Sequence, residues 1–338
     1  MPDKYNEAAL KEATPSISNK QIKLSSEIPE ALSGKRLDMA LSILFPEYSR
    51  ARLQEWIKSG YVTVDSKILK PRDPVKTLQK IEILATISIQ ENAKPQAIEL
   101  NIIYEDEDII IINKPVGLVV HPGAGQHDNT LLNAILHHAP KLAQIPRAGI
   151  IHRIDKDTSG LLVIAKTIEA HTKLVTAMQE HQIKREYEAV VYGALTSGGT
   201  IDAPIGRHKI KRTAMAVTTT GKIAITHYRI IERFTTFTHI KVTLETGRTH
   251  QIRVHMAHIH HPIIGDQTYG GRLKIPKNTT AELQEYLQLF KRQALHARKL
   301  ILNHPKTNKL IEAEAPLPKD MIQLLQLLRK NEQLISSL

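Results

Sequence analysis

The stretch GIIHRIDKDTSGLLVIAK, Gly149 to Lys166, sets Arg153, Asp155, Lys156 and Asp157 between two apolar runs that both read as buried strands. Charges placed there must be desolvated, so they need partners or chemistry to perform. Asp155 lies two residues after Arg153, and in an extended segment both side chains point to one face. A guanidinium beside a carboxylate favours its ionised form. Such an aspartate can close a salt-bridged turn; it can equally attack a glycosidic carbon or stabilise cationic character there. Spacing alone leaves both readings open, with Thr158, Ser159 and Gly160 turning the chain back into a strand.

At 338 residues the chain has room for two domains. Its longest purely apolar runs, such as Ile109–Ile112 and Leu161–Ala165, are far too short for a membrane-crossing helix. The opening MPDKYNEAAL shows neither the basic nor the apolar region of a secretory signal, so a cytoplasmic protein is expected. Zero cysteines exclude disulfides, cysteine-held zinc and a thiol nucleophile. Forty-six Lys and Arg against 34 Asp and Glu give a formal net charge of +12. A surface of that sign concentrates polyanions, mainly through phosphate contacts.

Residues 1–32 are polar, contain Pro15 and Pro29, and read as a flexible leader. SGKRLDMALSILFPEY repeats Leu37, Ala40, Leu41 and Leu44 at helical spacing, with Ser33 as the cap. SRARLQEWIKSG starts a second helix at Ser49, with Leu53, Trp56 and Ile57 on its apolar stripe, so Trp56 reads as core. YVTVDSKILKPRDPV alternates as a strand, turns at Asp65-Ser66 and returns, and QKIEILA closes the unit. Two helices, a hairpin and the basic residues Lys35, Arg36, Arg50, Arg52 and Lys58 resemble the S4 RNA-binding module, an α/β unit expected over 33–90. Residues 91–98 read as a linker. Strands such as DIIIINKP, REYEAVVYG, KIAITHYRII and HIKVTLET then mix with helices at NTLLNAILHHA, TIEAHTKLVTAMQEH, TAELQEYLQLFKRQ and KDMIQLLQLLRK. This predicts a mixed α+β domain with a mainly antiparallel sheet over 99–330, and a tail at 331–338.

The run from His152 to Gly160 resembles the HRLDxxTSG signature of the pseudouridine synthases, in the branch acting on large-subunit (23S) ribosomal RNA. Further blocks agree in the same order: INKPVGLVVHPGAG at 112–125, REYEAVVYG at 185–193, ETGRTHQIRVHMAHIHHPIIGD at 245–266 and LHARKL at 295–300. With the S4-like unit, the resemblance covers nearly everything after residue 33. Ile154 stands where the family usually has Leu, a volume-conserving swap. The resemblance implies that Asp155 is the catalytic carboxylate of a reaction that breaks the N1–C1′ bond of a uridine and rejoins the base through C5, with no cofactor. It places Tyr187 at the base, where spacing alone reads a strand aromatic as core. It calls for an arginine paired with the aspartate: Arg253 is favoured, and Arg248 is the alternative or a phosphate contact. Arg153 would face the RNA and occupy the gap left by an extruded base.

GRHKIKRTAMAV adds Arg207, Lys209, Lys211 and Arg212 as a basic loop expected to contact RNA. His250, His255, His258, His260 and His261 crowd one segment, but no HExxH occurs and no acidic residue lies between His250 and His261. Hydrogen-bonded or phosphate-facing histidines are therefore expected, and no metal. HPGAG at 121–125 lacks the third glycine of a dinucleotide loop and reads as a turn beside the site. The expected partner is 23S ribosomal RNA, free or in a pre-50S particle, bound by a monomer without membrane association. Competing readings are a non-catalytic RNA-binding assembly factor and the same chemistry on a transfer-RNA anticodon arm.

Overall fold

Leu37, Ala40, Leu41, Leu53, Trp56 and Ile57 are all buried, so helical spacing in the N-terminal part does mark a core. A computed structural model describes residues 19–46, 48, 50–88, 94–123, 126, 128–211, 213–272, 275–277 and 279–336. The chain divides into two compact units, 1–92 and 93–338. The first contains β1 (Asn19–Glu27), α1 (Leu37–Leu44), α2 (Arg50–Lys58), β2 (Val62–Val64) and β3 (Lys80–Ser88), with β3 central and antiparallel to both neighbours.

Three expectations need correction here. The leader cannot extend to residue 32, because β1 pairs with β3 along its whole length and Ile28 is fully buried. Ile22 and Leu24 alternate towards this core, a period-two signal diluted by the lysines and serines between them; residues 1–18 lie outside the described residues. The N-cap of α1 is Arg36, not Ser33, and Ser49 lies outside the described residues. After the Asp65-Ser66 turn, both residues at positive φ, the returning strand shrinks to one bridge between Val64 and Lys67.

Asp38 sits fully buried in the first turn of α1. It accepts hydrogen bonds from Arg36 (3.0 and 2.9 Å), Arg50 (2.9 Å) and Gln54 (2.6 Å). Burial pushes this carboxyl up, but the hydrogen bonds from Arg50, Gln54 and Arg36 outweigh it and hold it at about 2. Two of the expected RNA-facing arginines are thus tied to a carboxylate while keeping 42% and 50% of their side-chain surface exposed. Lys35 and Lys58 are exposed, and the side chain of Arg52 lies outside the described residues.

The second unit runs β4 (Ile102–Glu105), β5 (Ile109–Lys114), α3 (Leu131–His138), β6 (Ser159–Ala165), α4 (Ile168–Gln179), β7 (Lys184–Tyr192), β8 (Gly199–Asp202), β9 (Ile205–Arg207), β10 (Met215–Val217), β11 (Ile225–Arg233), β12 (Phe237–Leu244), α5 (Gln251–His258), α6 (Ala281–Leu289), β13 (Leu295–Asn303), β14 (Leu310–Glu314) and α7 (Lys319–Ser336). Nine strands form one sheet in the order β4-β5-β6-β13-β7-β12-β11-β8, with β14 also on β13. The fold is mixed and mainly antiparallel; β6 and β13 are parallel. The isoleucine run of β5 lacks alternation because both its faces are covered. Ile110 and Ile112, with Leu162 and Ile164 of β6, face the core under α3, α6 and α7, while Ile109, Ile111, Leu161 and Val163 face α4.

Unit boundaries also shift. Asn133, which closes a capping box with Thr130 at the start of α3, donates its side-chain amide to Lys94 O and its backbone carbonyl accepts from Gln96 N. The far end of the expected linker therefore belongs to the second unit; residues 91–93 lie outside the described residues. The tail expected from 331 is helical to Ser336, because Asn331 is buried and accepts a hydrogen bond from Thr280 N at 2.8 Å; residues 337 and 338 lie outside the described residues. Of the two apolar runs flanking HRIDKD, the second is β6. The first pairs through a single bridge, Ile150 to Ile164, because Arg147, Ala148 and Gly149 all have positive φ. Among the described residues no helix is long and apolar enough to cross a membrane.

Gly160, at φ +116°, lies where β6 first meets β13, and an added Cβ would fall within 2.5 Å of Ala297 N and against its carbonyl. Gly160→Ala should cost on the order of 4 kcal/mol. Thermal unfolding should therefore drop by about 10 °C, measured by circular dichroism.

Candidate active site

The loop before β6 is held by buried groups from three other segments. Lys114, fully buried at the end of β5, donates to Pro115 O (2.7 Å), Leu118 O (2.9 Å) and Lys156 O (2.9 Å). Burial pulls Lys114 down to about 7, with Asp157 and Asp155 opposing. Three acceptors require three hydrogens, which only the ammonium form carries, so this contact set favours the charged lysine. Arg292, whose fork grips Asp320 at 2.6 and 2.7 Å, directs Nη1 at Asp157 O, 3.4 Å away. Gln293 Nε2 donates to Thr158 Oγ1 at 2.9 Å, and Ser159 Oγ lies 2.9 Å from His296 Nδ1. Lys156 and Asp157 contribute their backbone carbonyls to these ties.

Asp155 is one end of a three-residue ionic chain. Arg253 Nη1 lies 2.9 Å from Asp155 Oδ2, while Nε and Nη2 of the same guanidinium bind Asp266 Oδ2 and Oδ1 at 2.7 and 2.9 Å. Asp266 Oδ1 also accepts from Thr268 N and Tyr269 N, and the Tyr269 ring covers the guanidinium at 5.1 Å. Burial pushes the Asp266 carboxyl up, but Arg253 and these amides prevail and hold it below the usual carboxylate range. The ion-pair partners of Asp155 among the described residues are Arg253 and, at 3.8 Å, His250; its sequence neighbour Arg153 is not one of them. Arg248 turns away and donates Nε to Ile223 O at 2.9 Å.

Gln251 organises the turn that presents Arg253. Its Oε1 accepts from Thr246 Oγ1 (2.8 Å) and Arg248 N (2.9 Å), and its Nε2 donates to Ile225 O (3.0 Å) and Thr226 Oγ1 (2.9 Å). All four hydrogen-bonding positions of a buried amide are thereby used. The clustered histidines follow the hydrogen-bonded expectation at three positions: His250 contacts Tyr269 Oη, His255 contacts Thr226 Oγ1 and Ala203 O, and His261 contacts Tyr192 O. The one metal-like grouping among the described residues is Asp106, Asp108 and His304, where His304 Nε2 and Asp106 Oδ2 already face each other at 2.9 Å.

An open cavity of about 950 Å³ is lined by Asp155, Tyr187, Arg253, Arg153, Arg248 and His250, and also by Arg147, His152 and Arg185. That volume suits a nucleotide-sized ligand. Tyr187 is 5% exposed and belongs to the core, as its strand spacing reads, while also lining this cavity. Burial raises its hydroxyl above the usual phenol range, Arg185 opposing and Asp155 reinforcing. Arg207, Lys209 and Lys211 stand on the exposed β9–β10 hairpin and do not line this cavity; Arg212, Ala124 and Gly125 lie outside the described residues. Sequence reasoning missed Lys114, Asp266, His152 and Arg185. The signal for Asp266 was present, as the final carboxylate of the block that contains Arg253.

The family model for RNA pseudouridylate synthase matches residues 108–258, and that for the S4 domain matches residues 35–78. The chain is 54% identical over 312 residues to ribosomal large subunit pseudouridine synthase D of Pseudomonas aeruginosa, covering 92% of this chain and 98% of that protein. With the protein of the same name from Escherichia coli K12 it shares 52% over 310 residues, 91% and 95% of the two chains. The solved human RNA pseudouridylate synthase domain containing 4 has a TM-score of 0.54 at 24% identity, over 68% of this chain and 93% of that one, and shows likeness of fold.

Two histidines, half-buried His152 and buried His296, flank the site. His152 Nε2 accepts from Val163 N at 3.2 Å, and burial, reinforced by Arg185, lowers this imidazole to about 3. Burial lowers His296 to about 4 against an opposing hydrogen bond to Ala315 O. Unfolded, both titrate near 6.5. Between pH 6.5 and about 4 the unfolded chain therefore binds protons that the folded one does not, and stability present above pH 6.5 falls as the pH drops. Each histidine adds roughly 1.4 kcal/mol per pH unit to that slope. Urea midpoints measured from pH 7 to 5 should decline less steeply in His296→Gln than in wild type.

Proposed function

Because the chain belongs to the RNA pseudouridylate synthase family, we propose that it isomerises uridines of large-subunit (23S) ribosomal RNA to pseudouridine, with Asp155 as the reacting carboxylate. The observation that carries this reading is the geometry of Asp155, anchored through Oδ2 on Arg253 with Tyr187 in the same cavity wall. The reaction cleaves N1–C1′ with the electron pair leaving on the uracil ring. The base turns, C5 bonds to C1′, the C5 proton is lost and N1 is reprotonated. An aspartate fits the cationic character that develops at C1′. Arg253 aims the carboxylate through Oδ2, and Tyr187 offers a ring for the extruded base and a hydroxyl that burial keeps protonated. Arg153, exposed at the cavity, faces the RNA. The proposed setting is cytoplasmic, on 23S RNA or a pre-50S particle, with a monomer as the working form. A non-catalytic assembly factor is not favoured, since Asp155, Tyr187 and Arg253 line one cavity.

Tritium release from ribosomal RNA transcripts carrying 5-tritiated uridine tests the assignment. Asp155→Ala should release at least about 10³-fold more slowly than wild type, and equal release would remove Asp155 from the mechanism. The first unit has its own buried core. Removing residues 1–92 should therefore leave the second unit folded while weakening RNA binding and flattening its dependence on salt, measured by filter binding from 50 to 200 mM. Unchanged affinity would deny the S4 unit a role in RNA capture.

A further inference from the structure

His250 is the one member of the histidine cluster aimed at Asp155, and nothing above uses it. It is the N-cap of α5 in the left-handed region, at φ 56° and ψ 21°. A non-glycine residue held there carries backbone strain and points to a site where side-chain direction matters. Its two ring nitrogens face Tyr269 and Asp155. Nδ1 lies 2.7 Å from Tyr269 Oη, and Nε2 lies 3.8 Å from Asp155 Oδ1.

The tautomer follows from hydrogen-bond counting. Met215 N is a donor only, and it donates to Tyr269 Oη at 2.8 Å. The tyrosine proton is then free to go to His250, so Nδ1 is the acceptor and the neutral ring carries its hydrogen on Nε2. That hydrogen faces the carboxylate oxygen that Arg253 leaves unbonded. Other charges around the ring are Arg253 beneath it on α5, Asp266 beyond Arg253, and Arg153 across the loop; burial, with Arg253 and Arg153, disfavours the imidazolium against the pull of Asp155 and Asp266.

We propose that His250 is a positioning residue for Asp155: with its tautomer set by Tyr269, it delivers an Nε2–H to Oδ1 when bound RNA displaces water from the cavity. Asp155 is then held by both oxygens in one plane, Oδ2 on Arg253 and Oδ1 on His250, and its remaining lone pairs face the sugar carbon. The distance of 3.8 Å is long for a hydrogen bond, so the contact tightens in the complex, as contacts in unliganded sites do. The inference rests on the proposed chemistry of Asp155.

Single-turnover tritium release on a large-subunit ribosomal RNA transcript provides one test. His250→Phe should slow the saturated rate about 10- to 100-fold, the worth of one hydrogen bond to a charged group, with RNA affinity within about twofold. His250→Gln, which can place an amide N–H near the Nε2 position, should recover most of that loss. A wild-type rate in His250→Phe, an equal loss in both variants, or a loss confined to affinity would overturn the proposal. Nitrogen-15 spectra of histidine-labelled wild type read the tautomer directly, whatever the variants do. A protonated Nε2 with unprotonated Nδ1 is expected, shifting towards a mixture in Tyr269→Phe; the opposite tautomer in wild type would overturn it. Absence of tritium release by wild type would count against the proposed function, while the spectra would still decide the ring.

Discussion

One guanidinium shared unequally between two carboxylates organises the candidate site of this protein. Arg253 gives two nitrogens to the fully buried Asp266 and one to Asp155. A buried cation needs a buried counter-charge, and Asp266 supplies it with both oxygens. Asp155 therefore does not have to neutralise Arg253 and can stay partly open to the cavity. Remove the asymmetry and Asp155 becomes half of a closed salt bridge.

Most of the second unit serves to keep that arrangement in register. Arg253 is fixed by α5, whose start is fixed by Gln251 against β11. Asp155 is fixed by a loop whose carbonyls are gripped by Lys114 from β5 and Arg292 from the segment before β13. Loop and strand meet at Gly160, where β6 turns parallel to β13 and no side chain fits between the backbones. Buried cations bound to carbonyls replace the hydrogen bonds that a loop would otherwise lose on leaving water. Such ties order the loop through its carbonyls and leave the Asp155 side chain at the cavity.

Much of this was legible from residues alone. Periodicity placed α1, α3, α4, β7 and β12, unbroken apolar runs placed β5 and β6, and the ordered blocks pointed to Asp155, Tyr187 and Arg253. The errors share a cause. β1 was hidden because NKQIKLSSE is a solvent-facing edge strand whose two apolar residues are outnumbered. The run at Gly149–Ile151 was over-read as a strand because three successive positive-φ residues leave no trace in hydropathy. Arg36 and Arg50 looked free for RNA because their shared partner, Asp38, reads as an ordinary first-turn helix residue.

By itself the sequence determined the kinds of element, the two-unit organisation and the residue types that can carry the reaction, because those depend on local spacing and composition. It could not say which arginine faces Asp155. Arg153 is two residues away in the chain and does not pair with it, whereas Arg253 is ninety-eight residues away and does. That choice belongs to the tertiary structure, because an ion pair depends on distance in space, and only the packed sheet brings the head of β6 against the start of α5.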